Sequence, residues 1–215
     1  MVKSAFASLW PIAVFLFFQG TFGHCAAQPQ PGTLLWSFTT PYQIGSSPVL
    51  ARDGTIYLGT PGALYAITNA GSNKWTFPVG VSGSPAVASD GTVYFGNGNA
   101  TFYAVNPDGS QKWSYALQPE FPFRIVYWSS PAVASDNSVY FVTAAKVYAF
   151  SATGTKMWDH TIDDFPGSTP SHAISPSIAQ DKTIYVASFY SGTFYALNPD
   201  GTEKWHFGLD NAGDC

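Results

Sequence analysis

The sequence predicts an all-β chain made of four copies of one four-stranded antiparallel unit, and three observations carry that prediction. The first is repetition. The stretch from Ser84 to Trp113, SPAVASDGTVYFGNGNATFYAVNPDGSQKW, recurs four times, and a period of roughly 40 residues marks stacked supersecondary units. The second is composition: 10% charged residues, 17% aromatics, 20 Gly and 16 Pro suit many short strands joined by turns rather than helices. The third is spacing, which is kept in some parts of the repeat and varies in others.

The first 27 residues differ from the rest. Lys3 precedes an apolar run from Leu9 to Phe18, followed by small and polar residues, the pattern of a secretory signal with cleavage after Gly23 or Ala27. The run is short for a membrane span and carries Pro11, so stable membrane insertion after signal removal is not expected. Secretion, or export to the periplasm in a bacterium, is. The cysteines are Cys25 and Cys215. A bridge between them is one option; cleavage after Ala27 would leave Cys215 alone. Without Lys3 the charge is 8 basic against 13 acidic residues, or −5. No Lys/Arg run exists, which excludes a nucleic-acid partner.

The repeat region is expected over residues 32–207, with 208–215 as a tail. It begins with an apolar strand around Trp36. Each unit then opens on Ser-Pro (Pro48, Pro85, Pro131, Pro176) and turns at an acidic residue (Asp53, Asp90, Asp136, Asp181) into a strand with Tyr57, Tyr94, Tyr140 or Tyr185. A third strand carries Tyr-Ala at Tyr65, Tyr103, Tyr148 and Tyr195. A turn ending in Gly71, Gly109, Gly154 or Gly201 feeds a last strand with Trp75, Trp113, Trp158 or Trp205. These are strands A to D of one sheet, in units spanning about 45–78, 83–116, 129–161 and 174–208. Asp-Gly predicts a two-residue A–B hairpin with both central residues at positive φ. Asn137 tolerates that conformation; Lys182 does not, so the fourth A–B turn is expected to differ. Asn106-Pro-Asp-Gly109 and its counterpart at 198–201 read as type I turns closed by a left-handed glycine.

Pro to the first Tyr is nine residues in all four units (48→57, 85→94, 131→140, 176→185), and the second Tyr to Trp is ten (65→75, 103→113, 148→158, 195→205). Only the B–C connection (Tyr to Tyr 8, 9, 8, 10) and the D–A connection (Trp to Pro 12, 10, 18, 18) change length. In a meander these two emerge on the same side, and variation confined to one side marks a binding face. Four-stranded units around an axis describe a β-propeller.

The runs Ala104-Val-Asn-Pro-Asp-Gly-Ser-Gln-Lys-Trp113 and Ala196-Leu-Asn-Pro-Asp-Gly-Thr-Glu-Lys-Trp205 resemble the tryptophan-docking motif of the PQQ-like (quinoprotein alcohol dehydrogenase-like) β-propeller repeats, although one residue shorter than the commonest form. The resemblance implies that Trp36, Trp75, Trp113, Trp158 and Trp205 pack flat between neighbouring blades. Five Trp strands against four A–B–C sets suggest a partial ring, completed by missing blades or by self-association; a closed four-bladed ring with a surplus strand is the alternative.

Quinone enzymes of this family add adjacent cysteines, an acidic Ca²⁺ ligand set and a catalytic Asp. No cysteine lies between 26 and 214, so no catalytic residue, metal or cofactor is assigned. Asp163-Asp164 reads as a solvated pair, and no His or Cys stands at zinc spacing. The candidate ligand face is the loop bearing Arg124, Tyr127 and Trp128, a composition favoured at binding surfaces, with His172 in the next long loop. Asn99-Ala-Thr101 is a glycosylation sequon. The expected function is a secreted, non-catalytic module that binds or scaffolds a protein or carbohydrate partner. The alternative is a fragment of a larger pyrroloquinoline-quinone-dependent oxidoreductase.

Overall fold

The computed structural model describes residues 32–117, 129–143, 145–162, 174–188 and 191–208. The chain divides into two units, Met1–Leu35 and Trp36–Cys215, and every strand belongs to the second.

Four sheets follow one another, each an antiparallel meander in sequence order. Blade 1 contains β1 (Val49–Leu50), β2 (Ile56–Gly59), β3 (Leu64–Ile67) and β4 (Asn73–Phe77). Blade 2 contains β5 (Ser82–Val87), β6 (Val93–Gly96), β7 (Thr101–Val105) and β8 (Gln111–Ala116). Blade 3 contains β9 (Ala132–Val133), β10 (Val139–Val142), β11 (Lys146–Phe150) and β12 (Lys156–Thr161). Blade 4 contains β13 (Ser177–Ile178), β14 (Ile184–Ala187), β15 (Phe194–Leu197) and β16 (Glu203–Phe207). The fold is an all-β propeller whose sheets form a partial ring. Among the described residues there is no helix, hence none long and apolar enough to cross a membrane.

In blades 1 to 3 the second and third strands are largely buried on both faces (VYFG in β6, VYFV in β10), whereas in blade 4 one face is more open. The buried strands therefore read as continuous apolar runs rather than alternating ones. Three apolar clusters each join two adjacent blades. Tyr57 and Leu64 meet Val93, Phe95 and Val105; Tyr94 and Phe102 meet Phe141 and Phe150; Tyr140 and Val147 meet Ile184, Val186 and Leu197. Strand A of one blade lies against strand A of the next. There the serines of the Ser-Pro pairs form a ladder across the blades. Ser47 N–H donates to Ser84 Oγ at 2.8 Å, Ser84 N–H to Ser130 Oγ at 3.1 Å, and Ser130 N–H to Ser175 Oγ at 3.0 Å. Proline cannot donate; the preceding residue supplies the bond.

The segment around Trp36, expected as a strand, forms none. Trp36 and Phe38 instead cover the outer apolar surface of blade 1, against Leu58, Ala63, Tyr65 and Ile67.

The A–B turns also correct the sequence reading. Ala51 N–H bonds to Thr55 O and Gly54 N–H to Ala51 O. That is a three-residue loop, a type I turn followed by one left-handed residue. It needs positive φ at one position, filled by Gly54, Gly91, Asn137 and Lys182. Lys182 keeps the common geometry, at φ 65°, and its neighbours explain why. Lys74, Lys112 and Lys204 each precede the blade's Trp and pair with that blade's turn aspartate (Asp53, Asp90, Asp181) at 3.3, 3.0 and 3.3 Å. In blade 3 that position is Met157, and Asp136 is paired by Lys182 of blade 4 at 2.9 Å. The ion pair offsets the strain of a left-handed lysine.

Candidate functional site

The blades present two faces of different chemistry. On the A–B/C–D side, the turn aspartates are tied down. Thr55 N–H and hydroxyl, then Lys74, hold the Asp53 carboxyl below the usual carboxylate range. At Asp90 burial pushes upward, but Thr92 N–H and Lys112 outweigh it. Lys182 and Ser138 N–H bring Asp136 down to about 2. Thr183 N–H and hydroxyl, then Lys204, lower Asp181. Carboxylates lowered in this way are permanent negative charges at neutral pH, the opposite of what a proton donor requires. Burial, then the nearby Asp53 or Asp90, pushes the Tyr57 and Tyr94 hydroxyls up to about 12. A recess of about 190 Å³ lies on this side between blades 1 and 2, lined by Arg52, Asp53, Ser89 and Asp90. Gly91 at its rim offers no side chain. At the next junctions Asn137 instead receives the Ser89 hydroxyl at 2.8 Å, and Lys182 binds Asp136.

The other face, where connections change length, holds a larger recess of about 350 Å³ between the same two blades. Its walls are Pro61 in the B–C turn of blade 1, Gly80 to Ser82 in the D–A connection, and Asn97 to Asn99 in the B–C turn of blade 2. Any Cβ on Gly80 would overlap the Pro61 carbonyl, so this close approach requires glycine. The buried Asn97 shapes the opposite wall, its Oδ1 accepting the N–H groups of Asn99 and Thr101, both at 3.0 Å. A Cβ at Gly98 would meet nothing within 4 Å, so this rim is open. The lining is backbone, amide and small apolar groups, a surface suited to hydrogen-bonded recognition of an extended polar ligand.

Asn99 lies exposed on that rim. Arg124, Tyr127, Trp128 and His172 lie outside the described residues, as do Asp163, Asp164, Cys25 and Cys215. Among the described residues no three His, Cys, Asp or Glu gather as metal ligands would. The recess residues Pro61, Gly80, Val81 and Asn97 were not singled out by sequence reasoning. The usable signal was a B–C turn with Asn97-Gly-Asn99 beside the shortest D–A connection.

The tryptophans share one geometry. Nε1–H donates to a carbonyl two residues before a left-handed glycine: Trp36 to Asn69 O at 3.0 Å, Trp75 to Pro107 O at 2.9 Å, Trp113 to Ala152 O at 3.1 Å, and Trp158 to Pro199 O at 2.9 Å. The indoles lie on Gly71, Gly109, Gly154 and Gly201, where a Cβ would come within 2.6, 2.9, 2.7 and 2.5 Å of a ring atom. These glycines are needed twice, for their φ of +81° to +89° and for the ring above them.

The comparisons with known proteins agree with this architecture. Residues 25–206 match the family model described as "Outer membrane protein assembly factor BamB". Among curated proteins no relative matches. Among solved structures, quinohemoprotein alcohol dehydrogenase ADHIIG of Pseudomonas putida HK5 is similar, with a TM-score of 0.67 and 18% identity over 81% of this chain and 36% of that one. BamB of Moraxella catarrhalis gives a TM-score of 0.52 and 17% identity over 82% and 65%. Virginiamycin B lyase of Staphylococcus aureus gives 0.60 and 14% over 77% and 55%. The chain spans less than two thirds of each of these proteins. At these identities the likeness is one of fold. With the family model matching most of its length, the chain belongs to the BamB family of PQQ-like β-propeller proteins.

Proposed function

We propose that the chain is a secreted, non-catalytic propeller module that binds or scaffolds a partner through its D–A and B–C loop face. The observation that carries this reading is the recess of about 350 Å³ walled by Pro61, Gly80 and Asn97, on the face where connection lengths vary. The opposite face supports it by contrast, since its A–B turn aspartates are held in turn and inter-blade pairing. The family's description as an assembly factor favours a protein partner over a carbohydrate. Exposed backbone and amide groups in the recess suit an extended peptide segment. Asn99 on the rim is a glycosylation acceptor in a eukaryotic secretory pathway. By their place in the sequence, Arg124, Tyr127 and Trp128 in one long D–A loop and His172 in the next are further candidate contacts for the partner.

A peptide library and a glycan array, each probed with the wild type, Gly98→Trp and the triple variant Arg124→Ala, Tyr127→Ala, Trp128→Ala, test the reading. Gly98→Trp fills the recess from an open rim, so selected peptides should bind at least tenfold more weakly with the fold unchanged. Equal binding by the wild type and both variants removes this face as the site.

The second reading, a piece of a larger quinone-dependent oxidoreductase, draws on the likeness to the P. putida quinohemoprotein. Such a centre needs carboxylates gathered around a cation, and the described residues gather none. The residues described do not fit that group. A change in absorbance or melting temperature on adding the quinone with Ca²⁺ would revive this reading.

A further inference from the structure

Each of blades 1 to 3 has a forward face that packs onto the receiving face of its successor. The forward face of blade 2 is an aromatic set, Tyr94 on β6, Phe102 on β7 and Trp113 on β8, with ring centroids 5.7 to 6.3 Å apart. It is covered by Phe141 and Phe150 of blade 3: Phe102 stacks on Phe141 at 4.0 Å, and Trp113 on Phe150 at 5.7 Å. Blade 4 has the same set at the same positions, Tyr185, Phe194 and Trp205, with centroids 5.8 to 6.0 Å apart. Phe102 is 0% exposed, yet Phe194 is 41% exposed, Trp205 42% and the neighbouring Phe207 64%. Trp205 is the one blade tryptophan whose Nε1–H has no acceptor among the described residues, and Ser175 N–H likewise continues the serine ladder to no partner. Blade 1 carries the complementary surface. Its receiving face, Leu58, Tyr65 and Ile67 with Asn69 O and Gly71, is covered by Trp36 and Phe38, which belong to no strand, and Ser47 Oγ accepts no hydrogen bond in the ladder.

We propose that the forward face of blade 4 docks onto blade 1 of a second copy of this chain, with Trp205 taking the seat on Gly71 that Trp36 fills in the monomer. The occupant follows from continuity with an existing interface: three junctions in the molecule are already built from these two surfaces, and blade 1 presents the receiving one. A junction of this kind is heterologous, head to tail, and closes into a ring only if the blade rotation allows. The blades described in two copies number eight, within the range of closed propellers. Trp36 and Phe38 then act as a competing plug. Assembly requires their release from Gly71 and Tyr65, so the plug sets the concentration at which copies associate.

Sedimentation velocity of the full chain over a hundredfold concentration range tests this. Trp36→Ala, checked for its fold by circular dichroism, should associate at least tenfold more tightly than the wild type. Trp205→Ala should be monomeric throughout, and the double variant should follow Trp205→Ala. Phe38→Ala, which loosens the plug by removing the ring packed on Tyr65 and its cluster, replaces Trp36→Ala if that variant unfolds. Association of Trp205→Ala equal to that of the wild type overturns the proposal, as does a plug variant that associates no more tightly than the wild type. The latter result would mean that blade 4 pairs with itself, or is covered by something other than blade 1.

Discussion

The junction of blades 2 and 3 and that of blades 3 and 4 have the same hydrogen bonds and different fillings. Both have an indole N–H on a turn carbonyl, at 3.1 and 2.9 Å, and a serine N–H on a serine hydroxyl, at 3.1 and 3.0 Å. Between them the first junction is stacked rings, Phe102 on Phe141 and Tyr115 against Phe150 at 4.7 Å. The second is mostly aliphatic, Val147 with Ile184, Val186 and Leu197. At the turn side the first is closed by a neutral pair, Ser89 and Asn137, and the second by an ion pair, Lys182 and Asp136. The hydrogen bonds set how two blades meet; the side chains between them are exchangeable so long as volume is filled.

The largest test of that difference is truncation of the filling residue on strand C. Phe102→Ala should cost about 3–5 kcal/mol, as buried aromatic truncations do. Val147→Ala, at the corresponding position, should cost about 2 kcal/mol, from two methyl-sized groups at roughly 0.8 each plus a small cavity. Chemical denaturation measures both, and equal losses would show that ring stacking contributes nothing specific at the first junction.

A smaller effect is expected at the turn. Lys182→Ala removes the ion pair but keeps a Cβ at positive φ, whereas Lys182→Gly removes the pair and relieves the strain. The glycine variant should therefore melt above the alanine variant, and Met157→Lys should recover stability in either background by restoring the in-blade lysine. Acid separates the two contributions. The Asp136 carboxyl titrates at about 2 in the fold, below its unfolded value near 3.9. Its pairing thus stabilises fully above that value and is lost as the pH falls through about 2. The melting-temperature gap between wild type and Lys182→Gly should shrink over that range; a gap independent of pH would assign the effect to backbone strain.

The smallest effect concerns the first junction alone. Among the described residues the buried Tyr94 hydroxyl has no hydrogen bond of ordinary geometry, the Thr92 side chain reaching it only well enough to lower its pKa against the larger upward push of burial, so Tyr94→Phe should be neutral or stabilising by up to about 1 kcal/mol. A loss of more than that would reveal an interaction at this hydroxyl.

Local features of the fold were legible because they depend on neighbours in sequence. Tyr-Ala followed by a glycine turn and Trp specifies a hairpin, and the equal spacings fixed strand lengths. What was not legible depends on how one blade sits on the next. Ser-Pro was visible in all four units, yet the role of its serine needs the following blade. Lys182 read as a misfit for its turn because its partner, Asp136, is 46 residues away. The same holds for the recess, whose shape depends on the close approach of Gly80 to Pro61. The loop residues Arg124, Tyr127 and Trp128 stand on composition alone.

The serine ladder has one further consequence. Every rung is the same bond, so a rung does not record which blade it belongs to. Excision of residues 84–129 would leave Ser47 facing Ser130, with donor and acceptor matched and Trp75 meeting the Ala152 carbonyl where it had met that of Pro107. A chain wired in this way can shorten or lengthen by whole units without rewriting these hydrogen bonds, and only the side chains that fill each junction must then be matched anew.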